Sequence, residues 1–269
     1  MADRRAVGKE SSMYPDVVFM GMSLYEIFIL AGIVYALAVF RILSDRDHAR
    51  AKYQNFVIVC GVFAIIAGYI CAVLFQAVYN YFSDGIFEIT VQTGATFYGG
   101  LIGGAAVFLS LYFAVGRVLF KDKYHIGGFS KLSDIAVAAI SGAHAFGRIG
   151  CLMAGCCYGR PTESFIGVYN QTLGCNTVPV QLFEAIFLFA LSAFLIFRCV
   201  KGKAYGLPIY LSAYGVWRFF IEYLRYDDRG STWLGLLTPS QLTAIFLIAV
   251  GVLGIPLMRR FSCGGGYEK

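Results

Sequence analysis

The chain has 269 residues, of which 58% are hydrophobic, 16% aromatic and only 14% charged. A water-soluble domain averages about a quarter charged residues, so this composition excludes an ordinary soluble globule. Six prolines and no low-complexity tract exclude a disordered chain. A formal net charge of +6 would suggest nucleic acid as the partner of a soluble protein; here the Lys/Arg excess belongs to bilayer insertion, and no nucleic-acid partner is expected.

Apolar runs occur at about Ser23–Phe40, Phe56–Tyr79, Thr96–Phe120, Ile135–Ile149, Val180–Phe197, Leu207–Ile221 and Pro239–Met258. Each approaches the roughly 20 apolar residues that cross a bilayer as a helix, although the fourth and sixth are short and abut charges. The pattern predicts an all-α fold, a polytopic membrane bundle of about seven transmembrane helices. Residues 1–22 read as an external N-terminal segment, 23–258 as a single transmembrane domain and 259–269 as a cytoplasmic tail. The first run is too long for a signal-peptide core and no A-x-A-like site follows it, so it is expected to be retained.

Lys and Arg set the orientation. Arg41, Arg46, Arg50 and Lys52 follow the first run, and Arg117, Lys121, Lys123 and Lys131 the third. Arg198, Lys201 and Lys203 follow the fifth, and Arg259, Arg260 and Lys269 form the tail, whereas Asn80–Ala95 holds no Lys or Arg. The positive-inside rule then places the C-terminus in the cytoplasm and the N-terminus outside, with only Arg4, Arg5 and Lys9 dissenting. Asn80–Ala95, Gly150–Pro179 and Tyr223–Thr238 are expected on the external side.

Some charges do not obey that rule. A charge at a helix centre costs about 2.5–3.5 kcal/mol on insertion scales, so Arg218 and Glu222 facing lipid would together cost on the order of 5 kcal/mol and are expected to face inward. Tyr214, Arg218, Glu222 and Arg225 follow helical spacing and are expected to form one stripe of one helix. Two arginines to one glutamate leave a positive charge that invites an anion. Arg148 stands between Gly147 and Gly150 in the fourth run, with Gly155 and Gly159 beyond, and its guanidinium fork suits a phosphodiester. Tyr98, Gly99 and Gly100 open the third run. Gln181 and Glu184 begin the fifth, either as helix-end caps or as part of the same polar cluster. All these groups fall at one face of the membrane, where a phospholipid headgroup could be held with its chains still in lipid.

Eight cysteines are present. Cys151, Cys156 and Cys157 have C-x4-C-C spacing, which does not match a C-x2-C zinc pair, so no metal site is expected. A disulfide among these three and Cys175, or inert replacement of polar residues, accounts for them. His144, one turn before Arg148, reads as an interior histidine. Without a nucleotide-binding glycine loop, zinc-protease helix or nucleophilic serine elbow, no cofactor is expected.

Phe97–Gly103 (FYGGLIG), Gly147–Gly150 (GRIG), Pro179–Glu184 (PVQLFE) and Tyr214–Arg225 (YGVWRFFIEYLR), in this order, resemble the prolipoprotein diacylglyceryl transferase family, and the resemblance runs from about Leu24 to the last span. It implies a seven-span enzyme of the bacterial plasma membrane, its site towards the outer leaflet. Such an enzyme moves the diacylglyceryl group of phosphatidylglycerol to the lipobox cysteine thiol of a preprolipoprotein, forming a thioether and releasing glycerol phosphate. By similarity Arg148 falls on the signature arginine that contacts phosphatidylglycerol, Arg218 on the essential arginine of span six, and Tyr25 and Tyr214 on functional tyrosines. Glu222 and Arg225 fall on the remaining polar positions of that stripe. Tyr98, Cys151 and Cys156 stand where the family usually has histidine, asparagine and glutamate. The resemblance and the residues together name Tyr98, Arg218, Tyr25, Tyr214 and Glu222 as catalytic candidates. Arg148, Arg225, Gly99, Gly100, Gly147, Gly150, Gly159, Gln181 and Glu184 are the substrate-binding candidates. A phospholipid-binding membrane protein without transfer activity, or of altered specificity, and a lipid transporter are the rival readings.

Overall fold

The computed structural model describes residues 18–19, 21–85, 87–90, 93–94, 96–171, 173–226 and 237–262. The expectations for Arg4, Arg5, Lys9, Cys263 and Lys269, and for most of the stretch after Tyr226, lie outside them. The described elements are β1 (Val18–Phe19), β2 (Met22–Ser23), α1 (Leu24–Arg46), α2 (Ala51–Asp84), α3 (Phe97–Leu119), α4 (Tyr124–Met153), β3 (Val168–Asn170), β4 (Cys175–Thr177), α5 (Val180–Val200), α6 (Gly206–Ile221) and α7 (Pro239–Ser262). A 3-10 turn, Glu222–Leu224, continues α6. The two strand pairs are short antiparallel hairpins.

Each apolar run corresponds to one α-helix, to within a residue where Ser23, Thr96 and Phe120 flank α1 and α3, and six of these helices are long and apolar enough to cross a membrane. The chain is a multi-pass membrane protein. α6 has 16 residues, about 24 Å at 1.5 Å per residue, and falls short of a roughly 30 Å hydrocarbon core by itself. Large apolar side chains such as Val34, Phe63, Phe246 and Leu253 are exposed on the helices, an arrangement suited to lipid and not to water. The fourth span is twice as long as its apolar run, because Gly127, Gly128, Lys131 and Asp134 interrupt hydrophobicity without interrupting the helix. α2 reaches Asp84 and α4 reaches Met153, so the loops expected from Asn80 and Gly150 begin several residues later.

The chain packs as two units, residues 1–43 with 131–269, and residues 44–130. In the second, α2 and α3 lie against each other through small residues. A Cβ built on Gly99 would meet Phe75 Cβ at 2.7 Å and Cys71 O at 3.0 Å, and one on Gly100 would stand 3.3 Å from Gly68 O. Gly99 and Gly100, which the sequence offered as substrate-binding, lie at this close helix contact. Tyr98 is half exposed at the start of α3. Tyr53, Phe56, Tyr112 and Phe120 form an aromatic core, with the Tyr53 and Tyr112 hydroxyls 2.7 Å apart. In the connection between α3 and α4 a hydrogen bond from Arg50 holds the Asp122 carboxyl below its ordinary range.

The first unit holds α1, most of α4, α5, α6 and α7. Ser23 and Glu26 form a reciprocal capping box at the start of α1: Ser23 N–H donates to Glu26 Oε2 at 2.7 Å and Glu26 N–H to Ser23 Oγ at 3.4 Å. Thr238 and Gln241 do the same for α7, with Pro239 at the first helical position. α6 starts against α4, because buried Asp134 accepts the Gly206 and Leu207 N–H groups through Oδ1 at 2.7 and 3.2 Å. That carboxylate satisfies two of the helix's orphan donors and faces its positive end. Hydroxyls join α4 to α5: Ser141 and Ser192 donate to the Leu188 and Ala138 carbonyls, and Tyr35 OH lies 2.8 Å from Ser192 Oγ.

Gly142 marks the tightest crossing. A side chain there would overlap the Tyr35 ring and sit 2.8 Å from its hydroxyl oxygen. Overpacking costs about 1–3 kcal/mol. Gly142→Ala is therefore expected to lower the melting temperature in detergent, whereas Gly61→Ala, with nothing within 4 Å, should not. Equal melting temperatures would contradict the close packing.

Candidate functional site

The polar groups of the first unit meet where α4 and α6 end and α5 and α7 begin. Their centre is Glu184, on the second turn of α5 and fully buried. Its Oε2 lies 3.1 Å from Arg148 Nε of α4, 4.0 Å from Arg218 Nη1 of α6 and 3.9 Å from Arg225 Nη1. Its Oε1 accepts the Tyr214 hydroxyl at 3.0 Å. Three guanidiniums from separate segments thus share one carboxylate, and Glu184 belongs to the polar cluster instead of capping its own helix. Breaking a buried ion pair costs more than its formation yields, because the partner is left charged and dry.

Glu222 is the second anion. Its Oε2 lies 2.9 Å from Arg218 Nη2 and 4.0 Å from Arg225 Nε, and its Oε1 accepts the Thr238 hydroxyl at 3.1 Å. Arg218 Nη2 also donates to Ser240 Oγ at 3.0 Å. Arg218 is thereby fixed by two helices and a capping segment. Tyr214 and Arg218 share α6, as spacing predicts, but the single stripe does not extend to Arg225: the helix ends at Ile221 and Arg225 is extended, with φ −80° and ψ 154°.

A strand-like pairing holds Arg225 in place instead. Residues 158–162 run between the end of α6 and β4. Arg160 N–H donates to Leu224 O at 2.9 Å, Tyr226 N–H to Tyr158 O at 3.3 Å, and Val178 N–H to Arg160 O at 3.0 Å. Gly159 sits at the crossing, where a Cβ would lie 2.9 Å from Leu224 O and from Val180 Cγ1. Only a glycine fits between those backbones. A cavity of about 420 Å³ beside the ion cluster is lined by Arg160, Pro161, Glu222, Arg225, Tyr226 and Thr238. Among the described residues, the guanidiniums of Arg148, Arg160, Arg218 and Arg225 stand here with the carboxylates of Glu184 and Glu222.

Tyr25 lies at the first turn of α1 and packs on Gly150, where an added Cβ would be 3.1 Å from its ring. Gly147 has space around it, with Ile29 Cδ1 nearest at 3.7 Å. His144 meets the Tyr214 ring edge to face at 5.2 Å. Gln181 donates through Nε2 to the Cys156 carbonyl at 2.6 Å and so holds the loop after α4.

That loop folds back on the end of α4. Gly155 and Cys157 both have positive φ, +70° and +59°, Cys156 N–H donates to Cys151 O at 3.2 Å, and Asn170 Nδ2 donates to Gly155 O at 3.0 Å. The fold-back brings the Cys151, Cys156 and Cys157 sulfurs within 4.8 Å of one another. No disulfide is present among the described residues, and Cys175 lies outside that group.

Sequence reasoning missed Arg160, Thr238 and Ser240. The Thr-Pro-Ser-Gln capping pattern, at the start of the last apolar run, was the available signal for the last two.

Fold and site together define a multi-pass membrane protein with an arginine-rich centre at one end of its helices. The sequence profile of the family described as Prolipoprotein diacylglyceryl transferase matches residues 16–257. A Clostridium perfringens (strain 13 / Type A) protein named phosphatidylglycerol–prolipoprotein diacylglyceryl transferase 2 is 32% identical over 243 residues, covering 87% of this chain and 90% of its own. Proteins named phosphatidylglycerol–prolipoprotein diacylglyceryl transferase from Clostridium tetani (strain Massachusetts / E88) and Dehalococcoides mccartyi (strain ATCC BAA-2266 / KCTC 15142 / 195) are each 31% identical. The former covers 85% of this chain and 90% of its own, the latter 82% and 85%. The chain belongs to the prolipoprotein diacylglyceryl transferase family.

Proposed function

We propose that the protein transfers the diacylglyceryl group of phosphatidylglycerol to the lipobox cysteine thiol of a preprolipoprotein, in the bacterial plasma membrane, with its site towards the outer leaflet. The observation that carries this reading is the convergence of Arg148, Arg218 and Arg225 on Glu184 beside a cavity that Arg160 also lines. Four guanidiniums against two carboxylates leave a positive surplus for a phosphodiester. The lipid phosphate enters from the cavity, and its chains remain among the apolar walls.

In the reaction the thiol sulfur attacks the glyceryl carbon that bears the phosphate. The C–S bond forms as the S–H proton passes to water, the C–O bond breaks, and glycerol phosphate leaves with the electron pair. Charge grows on the phosphate as that bond breaks, and pre-oriented guanidiniums stabilise it without reorganising. Glu184 and Glu222 fix the arginines. Tyr214, held by Glu184, and Tyr25, packed on Gly150, frame the inner wall. The alternating Lys/Arg content of the loops supports the outward orientation.

The test is incubation of purified protein with phosphatidylglycerol and a lipobox peptide. A mass increase equal to diacylglyceryl on the peptide cysteine is expected. Retention of lipid with no modified peptide would instead leave a phospholipid binder, the reading that Tyr98, Cys151 and Cys156 favour.

A further inference from the structure

The chain goes to some length to gather Cys151, Cys156 and Cys157. Positive φ at Gly155 and Cys157 reverses the backbone, and the Gln181 side chain and the Asn170 side chain tie the turn to α5 and β3. Three thiol sulfurs all within 4.8 Å of one another are close to what a shared cation requires. Tetrahedral zinc with Zn–S bonds of about 2.3 Å places its sulfurs roughly 3.8 Å apart, so side-chain rotations of about an ångström close the set. A disulfide would take two of the sulfurs and leave the third without a function.

We propose that Cys151, Cys156 and Cys157 form a tris-thiolate site for a zinc-type divalent cation whose fourth coordination position takes the acceptor thiol. Among the described residues no histidine, aspartate or glutamate joins the three sulfurs as a fourth ligand, and Cys156 is exposed. Structural zinc sites close with four protein ligands, whereas sites that act on a substrate keep three and leave one position open. Charge also fits. A divalent cation with three thiolates carries one negative charge, and the four arginines exceed the two glutamates by two. The surrounding guanidiniums thus offset the anionic metal unit.

The identity of the fourth ligand rests on the transferase reading; the cation site itself does not. On coordination the acceptor thiol gives its proton to water and is held as thiolate, the nucleophilic form. Its sulfur pair then forms the C–S bond as the glyceryl C–O bond breaks onto the departing phosphate. The cation keeps its oxidation state. This supplies the nucleophilic thiolate without a protein base.

The experiment uses the full chain in detergent, purified under reductant, stripped with chelator and titrated with Co²⁺ alone. A thiolate-to-cobalt charge-transfer band saturating at one equivalent is expected. It should be lost in Cys156→Ser and Cys157→Ser and kept in Cys175→Ser. Because a serine variant can misfold, the wild-type chain provides a second measurement: one equivalent of Zn²⁺ should slow alkylation of Cys156 and Cys157 at least about tenfold. With no lipid present, a lipobox-cysteine peptide should change the cobalt band and its serine counterpart should not. Absence of the band, absence of protection, indifference to the thiol peptide, or a Cys156–Cys157 disulfide in metal-free protein isolated without reductant would each overturn the proposal. Failure of lipid transfer with the band and the peptide response intact would remove the transferase reading and leave the cation site standing.

Discussion

Replacing Glu184 by glutamine is expected to lower the transfer rate about 10²–10³-fold while keeping the side-chain shape. The carboxylate is fully buried and is shared by Arg148, Arg218 and Arg225. Removing one partner of a buried charge pair costs about 3–5 kcal/mol, and each 1.4 kcal/mol is a factor of ten in rate. Part of that cost falls on stability, which sets the lower end of the range. Glu222 would still pair with Arg218 and Arg225 but not with Arg148, so the three guanidiniums repel one another and lose the common orientation that would receive a phosphate. Steady-state rates with phosphatidylglycerol and a lipobox peptide, alongside a melting curve, separate the two contributions. A rate within threefold of wild type would show that Glu184 is not the organising anion.

Arg148→Ala is expected to cost about 10²–10³ in the rate of transfer, the range found when one pre-organised donor to a developing oxyanion is removed. Arg148 Nε is committed to Glu184, which aims the rest of the guanidinium while leaving its other nitrogens for an anion. Arg148→Lys keeps the charge but loses the planar fork, so its activity should fall between wild type and alanine. Equilibrium binding of phosphatidylglycerol in nanodiscs should weaken in the same order. Full activity of the alanine variant would contradict the phosphate role and shift attention to Arg160 and Arg225.

Much of this architecture is visible in residue order. The apolar runs mark all seven α-helices, because lipid requires long apolar segments whatever they pack against. The ends of α4 are hidden for the same reason: Lys131 and Asp134 interrupt hydrophobicity, yet Asp134 is buried as the cap of α6, a relation between helices that no single segment reveals. Arg148, Arg218, Glu222 and Arg225 stand out because charge in a span is costly. For Glu184 the sequence left open a helix-end cap or a place in the polar cluster, since its role depends on where α4 and α6 terminate. Arg225 was assigned to the right neighbourhood by the wrong geometry, because helical spacing does not foresee the 3-10 turn or the pairing with residues 158–162. The cysteine spacing hid its own compactness, since the αL conformation of Cys157 lies outside any linear pattern.

The pairing of residues 158–162 with the end of α6 bears on how such a chain can diverge. Its contacts are made by peptide groups, so positions 158, 160 and 161 can change identity while the frame that carries Arg225 stays in register. Gly159 is the exception, since a methyl group there collides with two backbones at once. The rim of the cavity is thus free to drift and acquire new selectivity for headgroup or peptide, on a support whose geometry mutation at those neighbouring positions barely touches.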